Sequence, residues 1–220
     1  MSLTWLDHLR RQQIIAVIRT TNLAAGLSMA QAVAAAGIEF IEITWNSTDP
    51  AQLLTQVRAT LPHCVVGCGT LMTVADLRSA IAASAQFCFT PHTHPDLIHH
   101  GCQQGIPIIP GALSPTEIVT AWQAGATAIK IFPAQCLGGA TYIQALQGPL
   151  GQIPLIPTGG VTLANAAHFL NAGAIAVGLA GDLFPPALVQ NQDWEAITAR
   201  ARALRQHLRH QDPGHSDPED

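Results

Sequence analysis

Lysine is almost absent from this chain, because Lys130 is the single one in 220 residues and charged residues of all kinds make up only 11%. An average soluble domain contains about 25% charged residues. So few charges, beside 48% hydrophobic residues, indicate that part of the outer surface is covered by other subunits. The arginines are too scattered to form a basic stripe, so no nucleic-acid partner is expected.

Long apolar segments are also missing. The longest apolar runs, at residues 106–109 and 174–180, end at proline or glycine, far short of the roughly 18 to 20 residues that span a bilayer. Residues 1–13 mix charges with leucine and tryptophan, which differs from a signal peptide and predicts a short amphipathic helix that begins near Ser2. We therefore expect no membrane segment and no membrane partner.

The cysteines show neither a disulfide framework nor a metal-binding pattern. Five is an odd number, and no two cysteines stand in a C-x-x-C or other zinc-type spacing. This usage indicates a reduced, cytoplasmic protein without a structural metal. The five are Cys64, Cys68, Cys88, Cys102 and Cys136.

A strand and a helix alternate through most of the chain. Alanine-rich stretches of helical period separate eight short β-branched runs that recur at intervals of roughly 20 to 26 residues. Such alternation implies parallel pairing with right-handed crossovers, and eight units close into a barrel. We predict an α/β fold, a single (β/α)8 TIM barrel with an N-terminal helix over residues 1–210. The predicted strands are 14–18, 40–44, 65–70, 87–90, 106–109, 128–132, 154–157 and 174–179.

An open doubly wound sheet is the main alternative to the barrel. It usually carries a G-x-G-x-x-G turn after the first strand, and no such turn follows Ile18. Residues 211–220 consist mostly of proline, glycine, serine and acidic residues. With nothing apolar to bury, they are expected to form a disordered acidic tail.

Lys130 occupies an unusual place for a lysine, inside the apolar run of residues 128–132. Strand alternation directs Ile129 and Ile131 outward and Lys130 into the barrel. Burial favours the neutral amine, which is the form that attacks a carbonyl. The alternative is a lysine that is paired with an interior carboxylate for packing reasons alone.

Glu42 is the one carboxylate within the eight predicted strands, and the same alternation turns it inward. A buried carboxylate beside a lysine forms either an ion pair or a proton shuttle for an attacking amine. We predict that Lys130 is a nucleophile and that Glu42 is its acid and base partner.

Two glycine turns follow the last two strands. In barrels, backbone N–H groups at these positions often bind phosphate, and a helix N-terminus near Leu163 would assist. Glycine also ends strands for steric reasons alone, so each turn is weak evidence by itself. The predicted phosphate-binding residues are Thr158, Gly159, Gly160, Ala180 and Gly181.

With these residues in place, the chain resembles the 2-keto-3-deoxy-6-phosphogluconate (KDPG) and 4-hydroxy-2-oxoglutarate (KHG) aldolase family, which includes phosphogalactonate aldolases. The resemblance runs from about Ile14 to Leu183. Its pieces are IAVIR (15–19), IEIT (41–44), GCGT (67–70), TPH (90–92), IIPG (108–111), IKIFP (129–133), PTGG (157–160) and GLAG (178–181).

The resemblance implies a class I (Schiff-base) aldolase that needs no metal or other cofactor and assembles as a homotrimer. Its substrate would be a 2-keto-3-deoxy-6-phospho sugar acid or 4-hydroxy-2-oxoglutarate, which is cleaved to pyruvate and an aldehyde. Lys130 would condense with the C2 carbonyl, and Glu42 would move protons. Arg19 and Thr70 match positions that contact the substrate carboxylate, and the pocket walls would include Pro91 and Phe132.

Two positions depart from the family pattern. One branch of the family has an arginine two residues beyond the match to Thr44, whereas this chain has Asn46, as the phosphogalactonate-type branch does. Asn46 is therefore included among the predicted substrate-binding residues. Without that second arginine, Arg19 either binds the substrate carboxylate alone or forms a salt bridge at the barrel rim. The serine that is common in the last phosphate turn is replaced by Gly181, which leaves the need for a phosphorylated substrate open.

Three other functions share some of these features. A metal-dependent lyase or epimerase would use His92 and His94, but two imidazoles are too few ligands. A carrier barrel would hold pyridoxal phosphate on Lys130, but such barrels lack the IEIT element. A phosphosugar isomerase or thiamine phosphate synthase type of barrel would use the phosphate turns and would have no need for an imine-forming lysine.

Overall fold

Helices and strands alternate along the computed structural model, which describes residues 4–210. Ser2 and the tail 211–220 lie outside the described residues. Strands β1 to β9 span Ile14–Ile18, Phe40–Thr44, Val65–Gly69, Cys88–Phe89, Ile108–Ile109, Gly111–Ala112, Ile129–Ile131, Leu155–Pro157 and Val177–Leu179. Helices α1 to α10 span Trp5–Gln12, Leu23–Ala35, Pro50–Thr60, Val74–Ala82, Pro95–Gln103, Pro115–Gln123, Ala140–Leu150, Ala166–Asn171, Pro186–Gln190 and Trp194–His210.

Every strand pair is parallel. Six strands form one sheet in the order β5-β4-β3-β2-β1-β9, and three form a second in the order β6-β7-β8. A parallel bridge from Thr158 to Gly178 joins the end of β8 to β9. The fold is therefore α/β with parallel strands, as predicted, and helices connect the strands along the chain.

Pro110 separates β5, which lies within the fifth predicted strand, from β6, which lies beyond it. Proline has no N–H to donate to a ladder, although its carbonyl accepts a hydrogen bond of 2.9 Å from the Lys130 N–H. The sequence predicted one strand that ended at Ile109. The observed continuation beyond Pro110 pairs Gly111 with Lys130 and so fixes the register of β7.

Both faces of the strands are buried, which explains their nearly continuous apolar sequences. Alternate residues, such as Ile14, Ile129 and Ile131, pack against the helices in a large outer cluster. The other residues form a smaller inner cluster on the opposite face, and its buried members are Leu9, Ile15, Val17, Phe40, Phe87, Phe89, Ile109, Ala128, Ile156 and Ala176. The period of two that the sequence predicted is thus observed.

Helix α1 packs against one end of the inner cluster. Leu9 is fully buried there, and the Trp5 ring lies 5.7 Å from the ring of Phe40 and 5.6 Å from that of Phe87. The helix begins after Thr4, whose side chain accepts a hydrogen bond from the Asp7 N–H. Thr4, and not Ser2, is therefore the N-terminal cap.

We predict that Leu9→Ala lowers the free energy of unfolding by between about 2 and 5 kcal/mol, because it leaves a cavity among fully buried side chains. Urea denaturation measures the change. Arg11→Ala removes an exposed side chain of the same helix and should change stability by less than about 0.5 kcal/mol. Equal losses in the two variants would contradict the role of α1 in the core.

Candidate active site

A cavity of about 580 Å³ opens at the carboxyl ends of the strands. In parallel α/β folds this edge is where binding and catalytic groups converge. Ten of the twelve predicted site residues line the cavity, namely Arg19, Glu42, Thr70, Pro91, Lys130, Phe132, Thr158, Gly159, Ala180 and Gly181.

Lys130 projects from the middle of β7 into this cavity and is 5% exposed. Its Nζ lies 5.5 Å from the centroid of the Phe89 ring and 5.1 Å from that of Phe132. Among the described residues, no carboxylate forms a salt bridge with Lys130 within 4.0 Å. The arrangement therefore differs from the packing ion pair that was the alternative explanation of this lysine.

Glu42 projects from β2 into the same cavity and is 2% exposed. Its Oε1 atom is buried and has no hydrogen-bond partner. Burial raises the pKa of the Glu42 carboxyl, and the positive charges of Lys130 and Arg19 oppose this shift only in part. The group is therefore biased toward its protonated form, which suits a proton donor.

Arg19 and Thr70 contribute polar groups to the rim of the cavity. Arg19 is exposed and makes no salt bridge with any carboxylate in the described part of the chain. Its guanidinium is therefore available to an anionic ligand. Thr70 has a φ of 61°, a left-handed conformation that is rare for a β-branched residue and occurs chiefly where function requires it.

A network of buried hydroxyl groups supports this rim. Ser47 Oγ accepts a hydrogen bond of 3.1 Å from the Thr20 N–H and lies 3.2 Å from Thr44 Oγ1. All three residues are buried, and Thr44 lines the cavity. The network links the loops that follow β1 and β2, the strands that lead to Arg19 and contain Glu42.

The two glycine turns lie side by side, joined by the bridge between Thr158 and Gly178. Gly159 and Gly160 have φ values of 87° and 80°, which glycine adopts without strain. The amides of Gly159, Gly160, Ala180 and Gly181 donate no hydrogen bond to another residue within 4–210. These N–H groups are free to bind an anion.

The helix after the first glycine turn differs from the prediction. It begins at Ala166, and the Leu163 N–H donates a hydrogen bond of 2.7 Å to the Asp182 carboxylate. Asp182 in turn lies 3.5 Å from the Arg200 guanidinium. The N–H group that was expected to assist phosphate binding is therefore already hydrogen-bonded to a carboxylate of the protein.

Two predicted site residues lie outside the cavity lining. Asn46 is exposed in the turn in which the Ser47 N–H bonds to the Thr44 carbonyl. Gly160 is exposed and packs against Gln135. Their roles in binding stay predictions.

Sequence reasoning missed seven residues of the cavity lining, which come from β1, β2, α2, α9 and the segment before α9. Helix α9 has five residues and begins at Pro186, the second of two consecutive prolines, so it carries no periodic signal. Met29 resembles any core residue of an amphipathic helix. The missed lining residues are Val17, Met29, Thr44, Phe184, Pro186, Val189 and Gln190.

His92 and His94 lie between β4 and α5 with their ring centroids 5.9 Å apart, and neither lines the cavity. Residues 4–210 contain no group of three or more His, Cys, Asp or Glu side chains that could hold a metal ion. The metal-dependent alternative thus lacks its further ligands. Over the same residues, no helix is long and apolar enough to cross a membrane.

The fold and the cavity define an α/β enzyme with a buried amine and a buried carboxyl group at its centre. Residues 6–200 match the model of the KDPG and KHG aldolase family, and the chain belongs to this family. It is a class I aldolase, a carbon–carbon lyase, as its sequence predicted.

Known proteins align with nearly the whole chain. A 2-dehydro-3-deoxy-phosphogluconate aldolase from Haemophilus influenzae is 33% identical over 90% of this chain and 94% of its own length. The structure of a Legionella pneumophila KDPG aldolase, with pyruvate captured at low pH as a covalent carbinolamine, has a TM-score of 0.85 and 28% identity, covering 90% of this chain and 97% of that one. A cage designed by fusing symmetric oligomeric domains has a TM-score of 0.83 and 30% identity, covering 90% and 73%.

We predict that Glu42→Gln stabilises the protein increasingly as pH rises. Because burial raises the Glu42 pKa, the folded wild type binds this proton more tightly than the unfolded chain does. The resulting stability is present below the ordinary pKa of 4.5 and is lost as pH rises through the folded value. Glutamine has no such proton to lose.

The free energy of unfolding of both proteins, measured from about pH 4 to pH 9, tests this prediction. Glu195→Gln removes an exposed carboxylate and controls for the loss of one negative charge. A difference between Glu42→Gln and wild type that is constant with pH would contradict the buried location of the carboxyl group.

Proposed function

We propose that this aldolase cleaves a 2-keto-3-deoxy-6-phospho sugar acid, of the phosphogluconate or phosphogalactonate type, or 4-hydroxy-2-oxoglutarate. The products are pyruvate and either glyceraldehyde 3-phosphate or glyoxylate. One observation carries the proposal: the buried amine of Lys130 lies in the cavity and has no ion-pair partner among residues 4–210. An amine in this setting is available to attack a ketone.

In the first half of the reaction, the Lys130 Nζ attacks the C2 carbonyl and forms a carbinolamine. The carbinolamine loses water, with a proton supplied by Glu42 directly or through a water molecule, and becomes a protonated imine. The raised pKa of Glu42 keeps a proton on its carboxyl group for this step. The carboxylate that remains is then ready to accept a proton.

In the second half, Glu42 takes the proton of the C4 hydroxyl. The C3–C4 bond breaks, its electron pair moves into the imine, and the aldehyde leaves an enamine of pyruvate on Lys130. Protonation at C3 and hydrolysis then release pyruvate and regenerate the amine. The reaction needs no electron acceptor beyond the imine, so we propose no metal and no other cofactor.

Arg19 and Thr70 are proposed to bind the substrate carboxylate, and Pro91 and Phe132 to enclose the reacting carbons. Arg19 suits this role because it lines the cavity and has no carboxylate partner in the part of the chain that the structure describes. The free amides of the glycine turns suit the distal phosphate or carboxylate. The proposed residues there are Thr158, Gly159, Gly160, Ala180 and Gly181.

We further propose that the two sheets form one closed (β/α)8 barrel over residues 1–210, with α1 over its amino-terminal end. Support comes from the Thr158–Gly178 bridge, which links β8 to β9, and from Pro110, the one residue between β5 and β6.

We propose a homotrimer, which is the assembly that the resemblance to the family implies, and a location in the cytoplasm. Within residues 4–210, four large apolar side chains are exposed, namely Met72, Leu113, Trp122 and Phe132. The five cysteines are all free, and burial raises the pKa of Cys64 to about 11 and that of Cys88 to about 12, which keeps these thiols unreactive.

We predict that borohydride reduction in the presence of pyruvate labels Lys130 and inactivates the enzyme. Lys130 carries the one lysine amine in the sequence, so peptide mass spectrometry separates this label from one at the N-terminal amine. Lys130→Ala should lose both labelling and cleavage while it retains the wild-type circular dichroism spectrum. Cleavage by a folded Lys130→Ala protein would disprove the proposed nucleophile.

We predict that Glu42→Gln slows turnover by roughly 10²- to 10⁴-fold, the usual contribution of general acid–base catalysis. Borohydride trapping of pyruvate should decline much less, because solvent can supply the proton over the longer time of that experiment. Steady-state cleavage and the trapped fraction, measured on the same preparation, provide the comparison. Equal losses in both would assign Glu42 to binding or folding.

We predict that Gly181→Ser improves the use of phosphorylated substrates. A Cβ atom at Gly181 meets no atom within 4 Å, and a hydrogen bond to a charged group contributes about 1.5 to 3 kcal/mol, which corresponds to a KM roughly 10- to 150-fold lower. Gly181→Ala adds the same carbon without the hydroxyl and serves as the control. An equal effect on the unphosphorylated substrate would contradict phosphate binding at this turn.

A further inference from the structure

The Glu42 carboxyl group occupies space that a side chain at position 69 would fill. Thr44 and Gly69 are register partners in the β2–β3 ladder, and Glu42 precedes Thr44 by two residues on the same face. A Cβ atom at Gly69 would overlap Glu42 Oε1 and its carboxyl carbon, at separations below the 3.0 Å that real Cβ atoms respect.

No hydrogen bond holds this part of Glu42 in place. Oε1 has no hydrogen-bond partner, and the carboxylate makes no salt bridge to a basic group in the described part of the chain. The position of the carboxyl group therefore depends on the shape of the wall around it. Gly69 provides the part of that wall against which Oε1 lies.

Gly69 differs from Gly67, the other glycine of β3. A Cβ atom at Gly67 would meet the backbone oxygen and the ring of Phe87, so a substitution there would disturb the core itself. At Gly69 the nearest atoms belong to the end of a flexible side chain, and the residue is not among those with a positive φ. Alanine fits the backbone at position 69, and the Glu42 carboxyl group must move.

We propose that Gly69 is a positioning residue of the aldolase reaction: by lacking a side chain, it keeps the Glu42 carboxyl group in the cavity beside Lys130. The inference rests on the proposed function, in which Glu42 transfers protons. A side chain at position 69 turns the carboxyl group away, so proton transfer slows while the amine still captures the ketone.

The test is a double-mutant cycle that combines Gly69→Ala with Glu42→Ala, which removes the carboxyl group that the new methyl would strike. Gly148→Ala is the matched control, because a Cβ atom at Gly148 in α7 meets nothing within 4 Å. Turnover, KM, borohydride trapping with pyruvate, and the pH dependence of kcat are measured for each protein.

We expect Gly69→Ala to lower kcat by about 10²-fold, to change KM by less than about threefold, and to retain trapping. In the plot of kcat against pH, the limb that Glu42→Gln abolishes should shift to lower pH in Gly69→Ala. The reason is that the displaced carboxyl group is hydrated again, which lowers its pKa. In the Glu42→Ala background the same substitution should change kcat by less than about twofold, and Gly148→Ala should resemble wild type.

The inference is overturned if Gly69→Ala has the kcat of the wild type. It is also overturned if Gly69→Ala lowers kcat as much in the Glu42→Ala background as it does in the wild type. If Gly69→Ala does not fold, the double variant decides: a folded double variant supports the steric conflict with Glu42, and an unfolded one refutes it. Failure of the proposed function is a separate result, namely undiminished turnover in Glu42→Gln. The positioning role fails by itself when Glu42→Gln is impaired and Gly69→Ala is not.

Discussion

The burial of one amine and one carboxyl group in the same cavity is the constraint on which the rest of the site depends. Lys130 and Glu42 are almost completely enclosed, yet they form no ion pair within 4.0 Å. Burial disfavours the charged form of the Glu42 carboxyl group, and its pKa is raised accordingly. The cavity therefore holds a carboxyl group biased toward its protonated form together with an amine, and imine formation uses one group of each kind.

Much of the fold was predictable because strands and helices produce different apolar periods. The runs around Ile14 and Phe40 were placed correctly to the residue, since β-branched residues fill both faces of a parallel strand. The same alternation predicted that Lys130 points away from Ile129 and Ile131, and these isoleucines do pack against the helices. Local sequence carried this information because alternation is a property of each strand by itself.

Other features depend on contacts that local sequence does not reveal. The continuation of the fifth strand beyond Pro110 is set by pairing with Lys130, and the capture of the Leu163 N–H by Asp182 joins residues 19 positions apart. Thr70 gives no sign in sequence of its left-handed backbone. Helix α9 is too short for a periodic pattern, so the cavity wall that includes Val189 and Gln190 was missed.

The scarcity of lysine also affects how the protein meets reactive small molecules. Reducing sugars, acyl phosphates and other electrophiles modify proteins chiefly at exposed lysine amines, and here the single side-chain amine is recessed within a cavity. The basic residues on the surface of the protein are arginine and histidine. The substrates and products of an aldolase are carbonyl compounds, and the outer surface of this chain has almost no lysine with which they could form adducts.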